Sequence, residues 1–228
     1  GHVAYVWADA LLAYLTGIGY GDEGERAGEF DQRWPMQYHF VGKDITRFHT
    51  IYWPIFLMAL GLPLPKKVFV HPWFKFGEDK MSKSRGNVIY ADKLAERFSV
   101  DGVRYFALSE MPYVNDGSIT YESFISRYNM DLANNLGNLV SRTAAMTKKY
   151  FGGVIPAPAG EVDPDADLKA VAMDSVKEFR SLMDTYHLAD AAECAMLMLR
   201  RANKYIDETM PWALAKDESA KERLGTVL

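Results

Sequence analysis

The 228 residues contain a single cysteine, Cys194, which excludes a disulfide framework and any zinc site built from several thiolates. Cys194 falls in the apolar run from Ala191 to Leu199 and reads as a small core residue. Basic residues are in deficit as well: 26 Lys and Arg face 30 Asp and Glu, a formal net charge of -4 at pH 7. Phosphate affinity accumulates from Lys and Arg, so such a chain binds nucleic acid poorly without specific contacts, and any contact with RNA must run through a local patch. Long hydrophobic runs are missing. The apolar stretch from Ile51 to Leu64 is interrupted by Pro54, Gly61 and Pro63 and is too short to cross a bilayer, so no membrane partner is expected. The N-terminal apolar run lacks a basic leader and includes Asp9, unlike a signal peptide. A cytoplasmic location fits these features. No repeat or low-complexity tract is visible.

What is present is an ordinary globular balance, 49% hydrophobic and 25% charged residues, with room for one large domain or two small ones. Gly1 leads almost directly into the β-prone run Val3 to Val6, an abrupt start that reads as a piece of a longer protein. A helix is expected over Ala8 to Leu15 and a Gly-rich charged loop over Gly17 to Pro35. His39 to Gly42 reads as a second strand, Thr46 to Leu60 as a helix and Lys67 to His71 as a third strand. Alternating strands and helices of this kind predict a parallel sheet with crossover helices. Trp73 to Asn87 reads as a β-like stretch with a charged loop, Ala91 to Phe98 and Asp101 to Ser109 as short helices, and Pro112 to Ser118 as a turn region. After Tyr121 the chain reads as helical, over about Tyr121 to Phe151, Asp167 to Tyr186 and Ala189 to Thr209, with a Gly- and Pro-rich linker from Gly152 to Pro164. The C-terminal third therefore predicts a helix bundle.

The most specific string is Lys80-Met81-Ser82-Lys83-Ser84, bracketed by Gly77 and Gly86. Two ammonium groups three residues apart, with the small hydroxyl residues Ser82 and Ser84 beside them, form a cationic clamp. Separating pyrophosphate from a nucleotide builds charge on the leaving phosphates, and cations aimed at that charge favour the transition state over the ground state. A loop that can move suits a clamp that closes and then releases product. The competing reading is a solvated charge run on a surface loop. The full pentapeptide after a strand-helix-strand pattern favours the clamp.

Lys80 to Ser84 matches the KMSKS signature of class I aminoacyl-tRNA synthetases without a departure. Tyr5-Val6-Trp7-Ala8-Asp9-Ala10, Val41-Gly42-Lys43-Asp44-Ile45 and Asn203-Lys204-Tyr205-Ile206-Asp207, leading to Pro211-Trp212, resemble the methionyl-tRNA synthetase family in particular. The resemblance spans essentially the whole chain. It implies an α/β nucleotide-binding, Rossmann-like partial domain followed by an all-α anticodon-binding helix bundle. Residues 1–70 would be the second half of the catalytic domain, 71–120 the region of the KMSKS loop, and 121–228 the anticodon-binding domain.

The function implied is ATP-dependent ligation of methionine to its tRNA through methionyl-adenylate. Lys80 and Lys83 would be catalytic, and Gly42, Asp44, Phe74, Lys80, Ser82 and Lys83 would bind ATP or the adenylate. Trp7, Ala10, Leu11, Tyr14, Ile45 and His49 would line the methionine pocket. A thioether packs well against aromatic rings, and the Tyr14 hydroxyl or a His49 nitrogen offers it a weak donor. Asn138, Arg142 and Trp212 would read the anticodon, the first two from one helical face and the third by stacking. Taken singly, these residues have plainer readings: Trp7 and Leu11 as core, His49 as a structural histidine, Asp44 in a salt bridge, Asn138 and Arg142 facing solvent. Magnesium would accompany ATP. No metal site is expected in this chain, zinc included.

The family's HIGH signature is not found: His2, His39, His49, His71 and His187 all lie outside any His-x-Gly-His setting. The resemblance therefore implies a missing N-terminal half of the same enzyme as a partner, and an isolated chain that does not activate methionine. A non-catalytic tRNA-binding module and another class I synthetase are the alternatives.

Overall fold

A computed structural model describes residues 8–77, 79–81, 86, 88–110 and 115–228. The chain divides into two compact units, Gly1–Trp73 and Phe74–Leu228. The expected first strand, Val3 to Val6, lies outside the described residues.

In the first unit, helix α1 (Ala8–Thr16) is followed by a short helix α2 (Glu29–Arg33), strand β1 (Tyr38–Gly42), a single 3-10 turn (Lys43–Ile45), and a π-helical stretch (Phe48–Tyr52) that runs into α3 (Trp53–Ala59). Strand β2 (Lys67–His71) then pairs with β1 in parallel, Tyr38 opposite Lys67 and Gly42 opposite His71. The predicted parallel strands and crossover helix are present. The segment expected to be loop up to Pro35 holds one helical element, α2, whose Phe30 packs on the core. Leu11 and Leu15, four apart on α1, share a face and meet Trp34, Trp53 and Leu57. Trp53 and Leu57 are fully buried. At about 25 cal/mol per Å² of apolar surface, such side chains contribute roughly 1.5–3 kcal/mol each.

The second unit opens on a three-stranded sheet: β3 (Phe74–Phe76) pairs antiparallel with β4 (Asp79–Lys80) and parallel with β5 (Gly117–Ile119). β5 replaces the expected end of a turn region. Three residues are too few to show period two, so their strand character comes from the partner β3. Helices α4 (Ala91–Phe98) and α5 (Val100–Ser109) follow β4 in sequence. Ser99 caps α5 by accepting from Gly102 N at 3.3 Å.

The expected long helix is a rod in three parts: α6 (Tyr121–Arg127), a π-helical stretch (Tyr128–Gly137) and α7 (Asn138–Phe151). Its start is a reciprocal cap between Thr120 and Ser123, each side chain taking the other's backbone N–H at 3.0 Å. Gly152 ends it in the left-handed region (φ 63°), a conformation glycine adopts without steric cost.

Helix α8 (Asp163–Asp184) begins four residues earlier than expected, because Pro164 sits in its first turn, where no N–H is required. Helix α9 (Leu188–Thr209) packs along it, and α10 (Pro211–Leu214) and α11 (Lys221–Val227) complete the bundle. Two cores hold this unit: Leu94, Phe106 and Phe124 near the sheet, and Tyr205, Ile206 and Val227 among the helices. No helix among the described residues is long and apolar enough to cross a membrane.

Candidate functional site

The first unit places its candidate residues where parallel strands end. Gly42 closes β1, and Asp44 follows in the 3-10 turn, at the carboxyl edge where open α/β sheets bind ligands. A Cβ added to Gly42 would lie 2.8 Å from Asp44 Oδ1 and 3.7 Å from His71 Cε1. Gly42 therefore makes room for the Asp44 carboxylate to fold back beneath it. Trp73 Nε1 donates to Asp44 Oδ1 at 3.3 Å, and Lys43 Nζ sits 4.1 Å from the centre of the Trp73 ring. This hydrogen bond orients an exposed Asp44 whose other acceptor positions can meet a ligand.

The same unit holds a cluster of four rings. Tyr14 and His49 are joined by a 2.8 Å hydrogen bond between Oη and Nε2. His49 Nδ1 is 3.0 Å from the Ile45 carbonyl, which can only accept. In the neutral imidazole Nδ1 therefore carries the proton, Nε2 accepts, and Tyr14 donates. This corrects the expectation that Tyr14 and His49 offer donors to a thioether: both protons are already engaged within the protein. His39 and Trp53 complete the cluster, with Trp53 Nε1 donating to His39 Nε2 at 3.1 Å. The Tyr14 ring centre lies 4.8 Å from that of His39 and 5.7 Å from that of Trp53. Burial raises the Tyr14 hydroxyl above its usual value. Burial first, and the nearby His49 second, lower His39 below its usual 6.5.

Of the expected pocket residues, Tyr14, Ile45 and His49 come together. Ala10 shares Tyr14's face of α1 and is exposed. Leu11 is 2% exposed and sits in the core cluster. Trp7 lies outside the described residues. The sequence reading missed His39 and Trp53. Their signal was weak, since an alternating strand and an apolar helix each account for one buried aromatic residue.

In the second unit, Phe74 opens β3 and is half-buried, and the backbone of Lys80 ends β4. Ser82 and Lys83 lie outside the described residues, so the clamp is read from the sequence alone.

The helices of this unit enclose a cleft of about 350 Å³ lined by Asn134, Asn138, Arg142, Arg200, Asn203 and Asp207 among others. Asn134, Asn138 and Arg142 recur every four residues, so the π-helical stretch and α7 present them together. Arg142 Nη2 donates to Asp207 Oδ1 at 2.7 Å, and its guanidinium carbon lies 6.0 Å from the ring centre of Trp212, which is 41% exposed. Beneath them Asn203 Nδ2 donates to the backbone and side-chain oxygens of Asn135 at 2.9 Å, and Asn135 Nδ2 to Met196 O at 3.3 Å. Asn138 and Arg142 thus share one helical face, and the Arg142 guanidinium lies near the Trp212 ring. Asn134, Asn203 and Asp207 join them; the asparagine-rich run from Asn134 was the signal available for the first.

Among the described residues no group of three or more His, Cys, Asp or Glu is placed to hold a metal ion.

A parallel strand pair with Gly42 and Asp44 at its carboxyl edge, and a helix bundle with an amide-lined cleft, are the two features on which the comparison with known proteins bears. The family model described as tRNA synthetases class I (M) matches residues 1–144, and the chain belongs to that family of methionyl-tRNA synthetases. It is 51% identical over 228 residues to a methionine–tRNA ligase of Oceanobacillus iheyensis and 53% identical over 230 residues to one of Lactiplantibacillus plantarum, covering 100% of this chain and 34% of each relative. The structure of Mycobacterium tuberculosis methionyl-tRNA synthetase bound by methionyl-adenylate superposes with a TM-score of 0.88 at 42% identity, over 99% of this chain and 44% of that one. The chain spans about a third of the length of the curated relatives it matches.

Proposed function

We propose that the chain supplies part of the adenylate-forming site and the anticodon-reading helices of an enzyme that ligates methionine to its tRNA. The observation that carries this reading is the joint presence, in one unit, of a cluster of aromatic rings around Tyr14 and His49 and a carboxylate, Asp44, just past the end of a parallel strand. Methionine would rest against Tyr14 and His49, with Trp7, Ala10, Leu11 and Ile45 as further lining. Because Tyr14 and His49 already share their protons, the thioether would be held mainly by ring contact, which suits its polarizable sulfur. Asp44 would accept from ribose hydroxyls, Gly42 would preserve the space its carboxylate occupies, and Phe74 would pack on adenine.

The methionine carboxylate would attack the α-phosphorus of ATP. Pyrophosphate would leave toward Lys80 and Lys83, assisted by the Ser82 hydroxyl. Those cations meet negative charge that grows as the bond breaks, so they lower the barrier rather than only tighten binding. Magnesium bound with ATP would neutralise phosphate charge, and the bearing of this chain's own residues on that step is through the two lysines.

Methionine would then pass to the tRNA 3′ end. Asn134 and Asn138 offer amides to base edges, Arg142 a planar fork, and Trp212 a stacking face, the donor and ring set that recognises unpaired bases. An acidic chain with so local a patch would owe its RNA selectivity to these contacts. The testing experiment is binding of methionine tRNA to this chain beside an anticodon-altered tRNA and a Trp212→Ala variant. Binding that requires both the native anticodon and Trp212 is expected. Binding indifferent to either would overturn the reading of the helical unit.

A further inference from the structure

The rod from Tyr121 to Phe151 is tied down at a buried carboxylate. Asp131 is 1% exposed and lies in the π-helical stretch, three residues before Asn134. Its Oδ2 accepts from Tyr105 Oη at 2.8 Å and from Arg127 Nη1 at 3.2 Å. Arg127 in turn donates through Nε to Glu110 Oε1 at 2.7 Å. Tyr105 belongs to α5 and Glu110 follows its last residue, so one charge network fastens the rod to the C-terminal half of that helix. A second contact supports the attachment. A Cβ on Gly102 of α5 would lie 2.8 Å from Tyr128 Cε2, so the ring of the first π-helical residue rests directly on the α5 backbone.

These contacts bear on the cleft. Asp131 lines it together with Asn134, Asn138 and Arg142, although its carboxylate points its hydrogen-bonding capacity at Tyr105 and Arg127. A buried carboxylate persists only when it is paired and hydrogen-bonded. Burial first, and the bond to Asp131 second, push the Tyr105 hydroxyl well above its usual value, so it remains a donor throughout the physiological range. A π-helical stretch is rare and is found frequently at functional sites. Here the clasp sits inside that stretch.

We propose that Asp131 is a positioning residue for anticodon reading: clasped by Tyr105 and Arg127, it fixes the wide helical turn that brings Asn134, Asn138 and Arg142 onto the face of the cleft. The proposal rests on the reading of that cleft given above. A clasp that served stability alone would lower melting temperature and leave discrimination between anticodons intact.

The test uses the synthetase at its natural full length, with Tyr105→Phe and Asp131→Asn variants. Affinity is measured for methionine tRNA and for an anticodon-altered tRNA, alongside thermal melting. Tyr105→Phe removes one donor and leaves the ring in place. It is expected to bind the cognate tRNA about tenfold more weakly while binding of the altered tRNA changes little, so the ratio narrows. Pyrophosphate exchange by Tyr105→Phe should stay at the wild-type rate. Asp131→Asn keeps an acceptor for Tyr105 but loses the charge paired with Arg127, and the ratio should narrow further; should that variant fail to fold, Tyr105→Phe decides alone. A wild-type ratio in Tyr105→Phe, or an equal loss for both tRNAs, overturns the proposal whatever the melting temperature does. A wild-type enzyme indifferent to the anticodon would overturn the reading of the cleft itself, and the positioning role with it.

Discussion

Tyr14 donates its hydroxyl proton to His49 Nε2 across 2.8 Å, an arrangement set by the 3.0 Å contact between His49 Nδ1 and the Ile45 carbonyl. The main chain of one helix thus chooses the tautomer that a side chain of another helix reads. Tyr14→Phe leaves His49 Nε2 without this donor in a half-buried site. A net hydrogen bond is worth about 1 kcal/mol, so methionine affinity should fall roughly fivefold, as measured by calorimetric titration. Unchanged affinity would place the Tyr14–His49 bond outside the methionine pocket.

Gly42→Ala sets a methyl group 2.8 Å from Asp44 Oδ1. The backbone at Gly42 is extended (φ -73°, ψ 155°), so alanine is not strained there and the carboxylate must move instead. The expected result is a protein that melts within a degree or two of the original but has a KM for ATP raised about tenfold, with the KM for methionine little changed. A large fall in melting temperature with normal ATP kinetics would mean that Gly42 serves packing.

His39 supplies a pH dependence. Its folded value lies below 6.5, chiefly through burial, so the unfolded chain binds this proton more readily than the folded one. The contribution of the neutral ring is present in full above pH 6.5 and is lost as pH falls through the lower folded value. Protonated His39 could not accept from Trp53 Nε1. Melting temperature should therefore drop on acidification below 6.5, and a His39→Gln variant, which keeps an acceptor and does not titrate, should flatten that part of the profile. A profile unaltered in His39→Gln would assign the drop to other groups.

Asp165 adds a titration of the same sign at lower pH, from a different cause. Arg223 holds it bidentately, with one bond at 2.9 Å, Tyr205 donates its hydroxyl, and Val162 N donates at 3.0 Å. The Arg223 bonds first, with those from Tyr205 and Val162, lower Asp165 from 3.8 to about 2 despite the opposing cost of burial. A carboxylate lowered in the folded state contributes stability that is complete above 3.8 and disappears as pH falls toward about 2. Acid unfolding followed by far-ultraviolet circular dichroism should show the second unit losing stability over that window. An Arg223→Gln variant should be less stable at neutral pH and less sensitive to acid. Equal acid sensitivity in both proteins would remove Asp165 from this role.

Much of this architecture follows from local pattern. Leu11 and Leu15 four apart mark one face of a helix, and the Val-Phe-Val run in Lys67 to His71 marks a strand, because each pattern reports burial along a single element. Lys80 to Ser84 were legible as a string although only two of the five are described. Asn138 and Arg142 were legible because four residues make about one helical turn. The sequence alone therefore determined the order of the longer elements, the family resemblance and the candidate residues that lie close together along the chain.

Only the tertiary structure decided the partners. Trp53 meets His39 fourteen residues away, Arg142 meets Asp207 across sixty-five, and Arg223 meets Asp165 across fifty-eight. Periodicity carries no information about which distant group satisfies a buried donor, because that choice depends on how whole elements pack. The same reason accounts for β5, a strand by virtue of its pairing with β3, and for the wide turn around Asp131, where contacts with Tyr105 and Arg127 outweigh the preference of isolated residues for an α-helix.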